Sequence, residues 1–359
     1  MNKVAIVLSQ NIRWSPYYRR YEKLLNQLNI PFDLIMWNRE HLKEEIDGSL
    51  IEFDLSDKTN DGSIFKVFKF FSFLRFVKKQ LSKGKYEKIL FLGTYAFIPA
   101  LLSKFLAKKF KGKYWIDLRD LTYENIGFFF REEKRAIENS FKTVISSKGF
   151  LKYLPDYEYG FIHNIDPTMD EAYGKYQHSE SKNKTIRVSY IGNLSYWESC
   201  KKMIDRLAND IRFEMRFVGP GYERIKDYCD SNDIQNVSFH GRFNREDTVL
   251  FYNDTDIIFN VYGNNTPNVC AALSNKLYYS LKFEIPILVS SNTYMEEFCK
   301  KYNVGITFKN VPSFPDDLYR SFYLTKDEGC RFNEAWDSVL SEDKNAERML
   351  IEFLETKDA

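Results

Sequence analysis

The sixteen residues from Asn275 to Ser290 restrict what this chain can fold into more than any other stretch. Ser274 and Asn275 suit a helix N-cap, and Leu277, Tyr278 and Leu281 supply a buried face, so the first half reads as a short helix. Pro286 ends it. Ile285, Ile287, Leu288 and Val289 then form a nearly unbroken apolar run, as in a parallel strand covered on both faces. Helix, tight turn and buried strand make half of a βαβ unit. Asn275 and Lys276 stand at the helix N-terminus, where free N–H groups and the helix dipole favour an anion such as phosphate. A lysine opposes that dipole, so the residue is either an anion ligand or a solvated surface cation.

A chain of 359 residues is long enough for two domains, each with its own core. With 44% hydrophobic and 28% charged residues it has the composition of a globular protein. The net charge of +2 argues against a nucleic-acid binder, which carries a concentrated basic excess. The five cysteines, Cys200, Cys229, Cys270, Cys299 and Cys330, are scattered singly and suggest neither zinc nor a disulfide framework. The apolar run Val4 to Leu8 is too short for a signal peptide, so a cytoplasmic protein is expected. The stretch from Ile89 to Leu102 is shorter than the roughly 18 residues of a membrane span, and Gly93 and Pro99 break it.

Read in order, strands are expected at Val4–Ser9, Phe32–Trp37, Lys88–Gly93, Tyr114–Leu118, Phe141–Ser146 and Gly160–His163. Helices fall near Tyr17–Asn29, Ser63–Ser82, Pro99–Phe110 and Arg131–Asn139, and residues 38–62 read as polar and irregular. A second series of strands covers Arg187–Ile191, Phe213–Val218, Val237–His240, Asp256–Val261, Ile285–Ser290 and Gly305–Phe308, with helices between them. The expected organisation is α/β: a doubly wound domain over 1–166, a polar linker over 167–184, a second doubly wound domain over 185–326, and C-terminal helices over 327–359 that return to the first domain. The helix from Ser63 to Ser82 interleaves phenylalanines with Lys66, Lys69, Arg75, Lys78 and Lys79. It suits an anionic membrane surface, and equally a sheet-packed helix with solvated lysines.

No Gly-x-Gly-x-x-Gly follows the first strand, which removes the main signature of a dinucleotide enzyme. Gly219-Pro-Gly221 reads as a tight turn. Asp254 and Asp256 precede their strand, whereas ligands bind beyond the carboxyl ends of strands in open α/β sheets, so they are not expected to hold a metal. The same rule selects Gly192, Asn193, Gly219, Gly241, Arg242, Tyr262, Gly263, Pro267 and Asn268 in the second domain. In the first it selects Ser9 to Arg13, including Asn11, together with Gly93, Thr94, Arg119, Asp120 and Asn164. Small turn residues, amides, a few cations and one carboxylate suit a phosphorylated polar ligand.

Val188 to Leu194, Arg216 to Gly221, Val237 to Arg242 and above all Asn275 to Val289 resemble the GT-B-type glycosyltransferases of bacterial surface-polysaccharide synthesis (glycosyltransferase family 4-like) over nearly the whole chain. The last segment is similar to the family's Pro-x-Lys-Leu…Tyr-Leu-Ala-x-Gly-x-Pro-Val-Ile stretch, and Trp115 to Asp120 looks like a stretch placed at the cleft. The resemblance implies two Rossmann-like domains facing across a cleft, and sugar transfer from a UDP- or GDP-sugar to a lipid-linked or glycan acceptor. No cofactor and no metal are implied. Gly192, Asn193, Lys201, Arg242, Tyr262, Asn268, Asn275 and Lys276 would bind the donor, and Asn11, Arg13 and Arg119 the acceptor. Asp120, Arg119 and Lys276 would be catalytic, with Asp120 the base if the reaction inverts. The chain departs from the family at two glutamates, one of which holds the ribose, replaced here by Ala271 and Tyr279, and at a glycine replaced by Glu284. A nucleotide-sugar epimerase of the same architecture, or a non-catalytic partner subunit, therefore stands beside the transferase reading.

Overall fold

The computed structural model describes residues 3–55, 63–93, 97–121, 123–179, 185–327 and 329–356. The chain forms two compact units, Met1–His163 with Ser341–Ala359, and Asn164–Leu340.

In the first unit the elements run β1 (Lys3–Leu8), α1 (Tyr18–Gln27), β2 (Phe32–Trp37), β3 (Ser49–Phe53), α2 (Ser63–Lys83), β4 (Tyr86–Gly93), α3 (Phe97–Leu101), α4 (Ser103–Lys109), β5 (Tyr114–Leu118), α5 (Gly127–Glu138), β6 (Lys142–Ile145) and β7 (Gly160–Phe161). Their sheet has the order β3-β2-β1-β4-β5-β6-β7, with every neighbouring pair parallel. β2 and β5 are buried at every position, as their unbroken apolar runs require. β3 lies inside the stretch expected to be irregular. It is a half-exposed edge strand whose Phe53 packs on Trp37 and Phe73, so its apolar signal is short. The helix expected over 99–110 is two helices, and Pro99 sits in the first turn of α3, where its missing N–H leaves no bond unmade.

The second unit runs α6 (Met169–Lys175), β8 (Ile186–Ile191), α7 (Trp197–Leu207), β9 (Phe213–Val218), α8 (Glu223–Ser231), β10 (Val237–His240), α9 (Thr248–Asn253), β11 (Ile257–Asn260), α10 (Pro267–Ala271), α11 (Asn275–Phe283), β12 (Ile287–Val289), α12 (Tyr294–Tyr302), β13 (Gly305–Thr307) and α13 (Phe314–Asp327), then α14 (Phe332–Glu355). The sheet order is β10-β9-β8-β11-β12-β13, again all parallel. The expected linker over 167–184 is corrected here: Met169 is buried in this unit's core and Tyr176 stacks on Phe283 at 4.4 Å, so α6 and its flanks belong to the unit. Residues 180–184 lie outside the described residues. α14 serves both units in turn. Phe332, Ala335 and Val339 enter the second core, while Ala346, Leu350, Phe353 and Leu354 enter the first. Lys88 donates to the carbonyls of Phe353 and Thr356 and so caps the helix.

On α2, Phe73, Leu74, Val77 and Leu81 are buried, whereas Val67, Phe68, Phe71, Arg75, Lys78 and Lys79 are exposed. Lys69 is buried, so it does not share the surface of the other cations, and the Lys66 side chain lies outside the described set.

Two glutamates sit at a local cost in stability. Glu284 ends α11 in the left-handed region at φ 56°, where a side chain costs about 1 kcal/mol relative to glycine. Glu284→Gly should therefore raise the urea midpoint of the second unit's transition at unchanged slope, a stability gain of about 0.5 to 1 kcal/mol. Glu133 on α5 is fully buried, with neither carboxylate oxygen hydrogen-bonded and Glu124 nearby, and burial pushes its pKa up to about 8 from 4.5. Between those values the unfolded chain releases a proton that the folded chain keeps, so stability falls as pH rises through the window and levels off above it. Glu133→Gln should remove that slope. Its stability gain over the wild type, followed by urea unfolding, should grow from pH 5 to pH 8.

Candidate functional site

In the second sheet the strand order reverses between β8 and β11, the place where open α/β sheets bind ligands beyond their carboxyl ends. The loops there are locked by backbone contacts. Gly192 N–H donates to Val218 O at 2.8 Å, Gly219 N–H to His240 O at 2.8 Å, and Leu194 N–H to Pro220 O at 3.0 Å. Gly219 has φ 134°, and a Cβ there would lie 2.0 Å from the Gly192 carbonyl oxygen, so no other residue fits. The Gly219-Pro-Gly221 turn is thus the wedge that sets the height of the Gly192 loop.

Lys276 enters the same place from α11. Ser274 caps that helix by accepting from Lys276 N–H at 3.2 Å, and Leu277 is in the core. The Lys276 side chain turns inward and is only 9% exposed, which excludes the solvated alternative. Its Nζ donates to Tyr262 Oη and lies 4.4 Å from the Tyr190 ring centre and 5.0 Å from that of Tyr262. Tyr262 is stacked on Tyr196 at 4.1 Å, and Tyr190 Oη donates to Asn193 O at 2.9 Å. Burial first, and the Tyr262 hydroxyl second, hold the Tyr190 phenol well above its ordinary range, so it stays neutral. A Cβ at Gly192 would sit 3.7 Å from Nζ, so the glycine leaves the ammonium approachable. Among the described residues no carboxylate pairs with Lys276.

The network continues behind the lysine. Tyr252 is fully buried, with the Tyr279 and Tyr262 hydroxyls and the Asp166 carboxylate adding to burial in raising its pKa. Tyr279 stacks on Tyr252 at 4.7 Å and donates to Asp166 Oδ2 at 2.8 Å. Ala271 is buried at the end of α10.

The remaining candidates fall into two groups. Arg242, Asn193 and Asn275 are exposed and Asn268 is half-buried, all on the loops or helix starts around Lys276. Lys201 is not brought to the cluster: its ammonium pairs with Asp205 at 2.7 Å and lies over the Tyr228 ring, toward α8. In the first unit Asn11 is fully buried and faces inward, donating to Asn38 Oδ1 and Glu44 Oε1 and accepting from Arg39 N–H. Arg119 is also turned inward. Its guanidinium forms a buried pair with Asp117 at 2.6 Å, reaches the carbonyls of Ile162 and His163, and lies over Tyr17. Both are braces of their loops, and neither presents its polar atoms outward. Arg13 is exposed and pairs with Glu40, and Asp120 is half-buried after β5. Thr94 lies outside the described residues.

Asp254 and Asp256 pair with Arg187 at the amino end of β11, and among the described residues no cluster of three or more metal-ligating side chains occurs. Tyr190 and Tyr196 were not anticipated. Tyr190 alternates with Ile191 on β8, a phase that places its ring beside the strand-end loop, but nothing in the sequence marks it as the partner of Lys276.

No family model matches the chain, and no curated protein does. Solved structures match over nearly its full length. Sucrose-phosphate synthase from Thermosynechococcus elongatus is similar with a TM-score of 0.72 at 10% identity, covering 99% of each chain. WaaG, a glycosyltransferase involved in lipopolysaccharide biosynthesis, gives 0.62 at 11% identity over 96% of this chain and 99% of its own. HepE of Anabaena, in complex with UDP and glucose, gives 0.61 at 12% identity over 96% and 98%. At these identities the likeness establishes the fold: two Rossmann-like α/β units with all-parallel sheets of seven and six strands, the GT-B architecture.

Proposed function

We propose that this chain is a glycosyltransferase of surface-polysaccharide synthesis, moving a sugar from a nucleoside-diphosphate sugar to a lipid-linked or glycan acceptor. The observation that carries the reading is Lys276, a buried cation with no carboxylate partner among the described residues, set at a helix N-terminus beside Gly192. In sugar transfer the bond from the anomeric carbon to the β-phosphate oxygen breaks and its electron pair leaves with the diphosphate. A new bond forms to the acceptor oxygen, which loses its proton. Charge on the leaving diphosphate is the largest demand, and Lys276, the positive end of the α11 dipole and the exposed Arg242 answer it without a metal. Tyr262, Gly192, Asn193, Asn268 and Asn275 would complete the donor site. If the reaction inverts, Asp120 is the proposed base. HepE is crystallised with UDP and with UDP-glucose, which makes UDP the first nucleotide to test here.

A lipid-linked acceptor requires the first unit to meet a membrane surface. Residues 63–113 contain thirteen lysines and arginines against the single acid Glu87. Lys78 and Lys109 both lie over the Phe105 ring, so the basic sides of α2 and α4 adjoin. Exposed Phe68 and Phe71 continue through Phe70, Phe97 and Phe129 to exposed Ile126 and Phe128 at the start of α5. Apolar wedges flanked by cations suit the inner face of an anionic membrane, each cation contributing roughly 1 kcal/mol. No helix among the described residues is long and apolar enough to cross a membrane.

Two measurements test the reading. Lys276→Met, which keeps the stem but removes the charge, should weaken UDP binding by calorimetry several-fold to a hundredfold, since a charge-assisted contact is worth about 1.5 to 3 kcal/mol. Unfolding stability should hold or rise, because a buried charge has been removed; unchanged UDP affinity would sink the donor assignment. The second measurement incubates the protein with a panel of nucleotide sugars on anionic and neutral vesicles carrying lipid-linked acceptors. Transfer should persist in chelator, and vesicle binding should require anionic lipid at low salt and weaken in Lys78→Glu/Lys79→Glu. An altered nucleotide sugar formed without acceptor would indicate an epimerase, and no turnover of any donor a non-catalytic subunit.

A further inference from the structure

Trp14 is the exposed member of the five tryptophans, at 60%, while Trp37 and Trp115 are buried and Trp197 and Trp336 half-buried. An exposed indole is usually mobile, but this one is fixed. It ends a 3₁₀ turn, Ile12–Trp14, that directly follows the carboxyl end of β1, beside the point where the first sheet reverses its order between β1 and β4.

Several contacts hold that turn. Ile12 is buried, and its N–H donates to Glu44 Oε1 at 3.1 Å. Asn11 ties the turn to Asn38 at 2.8 Å, and Gln10 Nε2 donates to Trp14 O at 3.0 Å. The indole itself is clamped: Glu40 accepts from Trp14 Nε1 at 3.2 Å through one oxygen and from Arg13 through the other, and the Arg13 guanidinium lies 5.0 Å from the ring centre. None of this buries the ring. A supporting shell that orders a large aromatic side chain in water does little for the core and is the arrangement of a preorganised contact.

We infer that Trp14, with Arg13 and Glu40, is a stacking platform for a pyranose ring of the glycan acceptor, an assignment that rests on the transferase reading above. The axial C–H bonds of one face of a pyranose are weakly positive and lie flat on the negative face of an indole. Equatorial hydroxyls project around the ring edge, where a carboxylate accepts from them and a guanidinium donates to them. Arg13 and Glu40 supply one of each beside the indole. A phosphate suits the platform less well, since Glu40 repels it. Asn11, fully satisfied and buried, is a positioning residue of the platform.

The test labels the full chain with 5-fluorotryptophan, assigns the Trp14 fluorine resonance by its loss in Trp14→Phe, and titrates with methyl glycosides and disaccharides of glucose, galactose and N-acetylglucosamine. At least one sugar should shift the Trp14 resonance saturably and leave those of Trp37 and Trp115 in place. By saturation-transfer NMR, Trp14→Ala should weaken that sugar at least tenfold and Trp14→Phe less, because phenylalanine retains a stacking face. No shift at Trp14 with any sugar, or wild-type sugar affinity in Trp14→Ala, overturns the assignment. UDP binding by the same wild-type samples separates the two readings. UDP bound with no sugar at Trp14 removes the platform alone, whereas sugar at Trp14 without UDP binding or donor turnover leaves the platform and removes the transferase.

Discussion

A lysine ammonium taken out of water with no carboxylate partner among the described residues is the constraint around which the second unit is organised. Isolated burial of such a group costs several kcal/mol. The faces of Tyr190 and Tyr262 return roughly 0.5 to 2 kcal/mol each, and the phenol oxygen of Tyr262 accepts one of its protons. The surroundings are rigid as well: Gly219 is wedged against Gly192, and Tyr262 is stacked on Tyr196. A fixed positive charge in a dry, stiff setting does not have to reorganise when an anion arrives, and this is the condition under which electrostatic stabilisation of a leaving group is most effective.

Ala271 and Tyr279 fit that logic, since neither brings a negative charge toward Lys276. Tyr279 instead donates to Asp166, which stands just before α6. The residue just before the expected linker therefore delivers a carboxylate to the network, held by Tyr279 and by the Thr168 hydroxyl. Polar composition alone could not reveal this, because Asp166, Thr168 and Asp170 read as solvated loop residues until Met169 is seen to be buried in the core beside them.

Most of the fold was legible because parallel strands buried on both faces leave long apolar runs, as in Phe32–Trp37 and Tyr114–Leu118. Among what escaped were α12 and α13, together with short or half-exposed pieces: β3 on its edge, α10 with its five residues, and the break between α3 and α4. The strand-end rule selected Gly192 and Tyr262, and the helix N-terminus reading selected Lys276. Neither could give the direction in which a side chain leaves its loop. Lys201 is on α7, which follows the Gly192 loop, yet it sits where the helix turns it toward Asp205 and Tyr228, an i,i+4 partner and a neighbouring helix.

The same limit separates braces from contacts in the first unit, and the deciding quantity is how much hydrogen-bonding capacity each polar group has already used. Asn11 spends its carboxamide on Asn38, Glu44 and Arg39, and Arg119 spends its guanidinium on Asp117 and two carbonyls; both are almost wholly out of water. A group in that state has nothing left for a ligand, and its removal would leave buried partners unsatisfied. Its neighbours in sequence behave in the opposite way. Arg13 and Trp14 follow Asn11 by two and three residues and stand in solvent, positioned by the bonds that Asn11 makes. One loop thus supplies both the rigid support and the exposed surface. In a strand-end loop of this kind, a buried amide is informative chiefly about which of its neighbours is held outward.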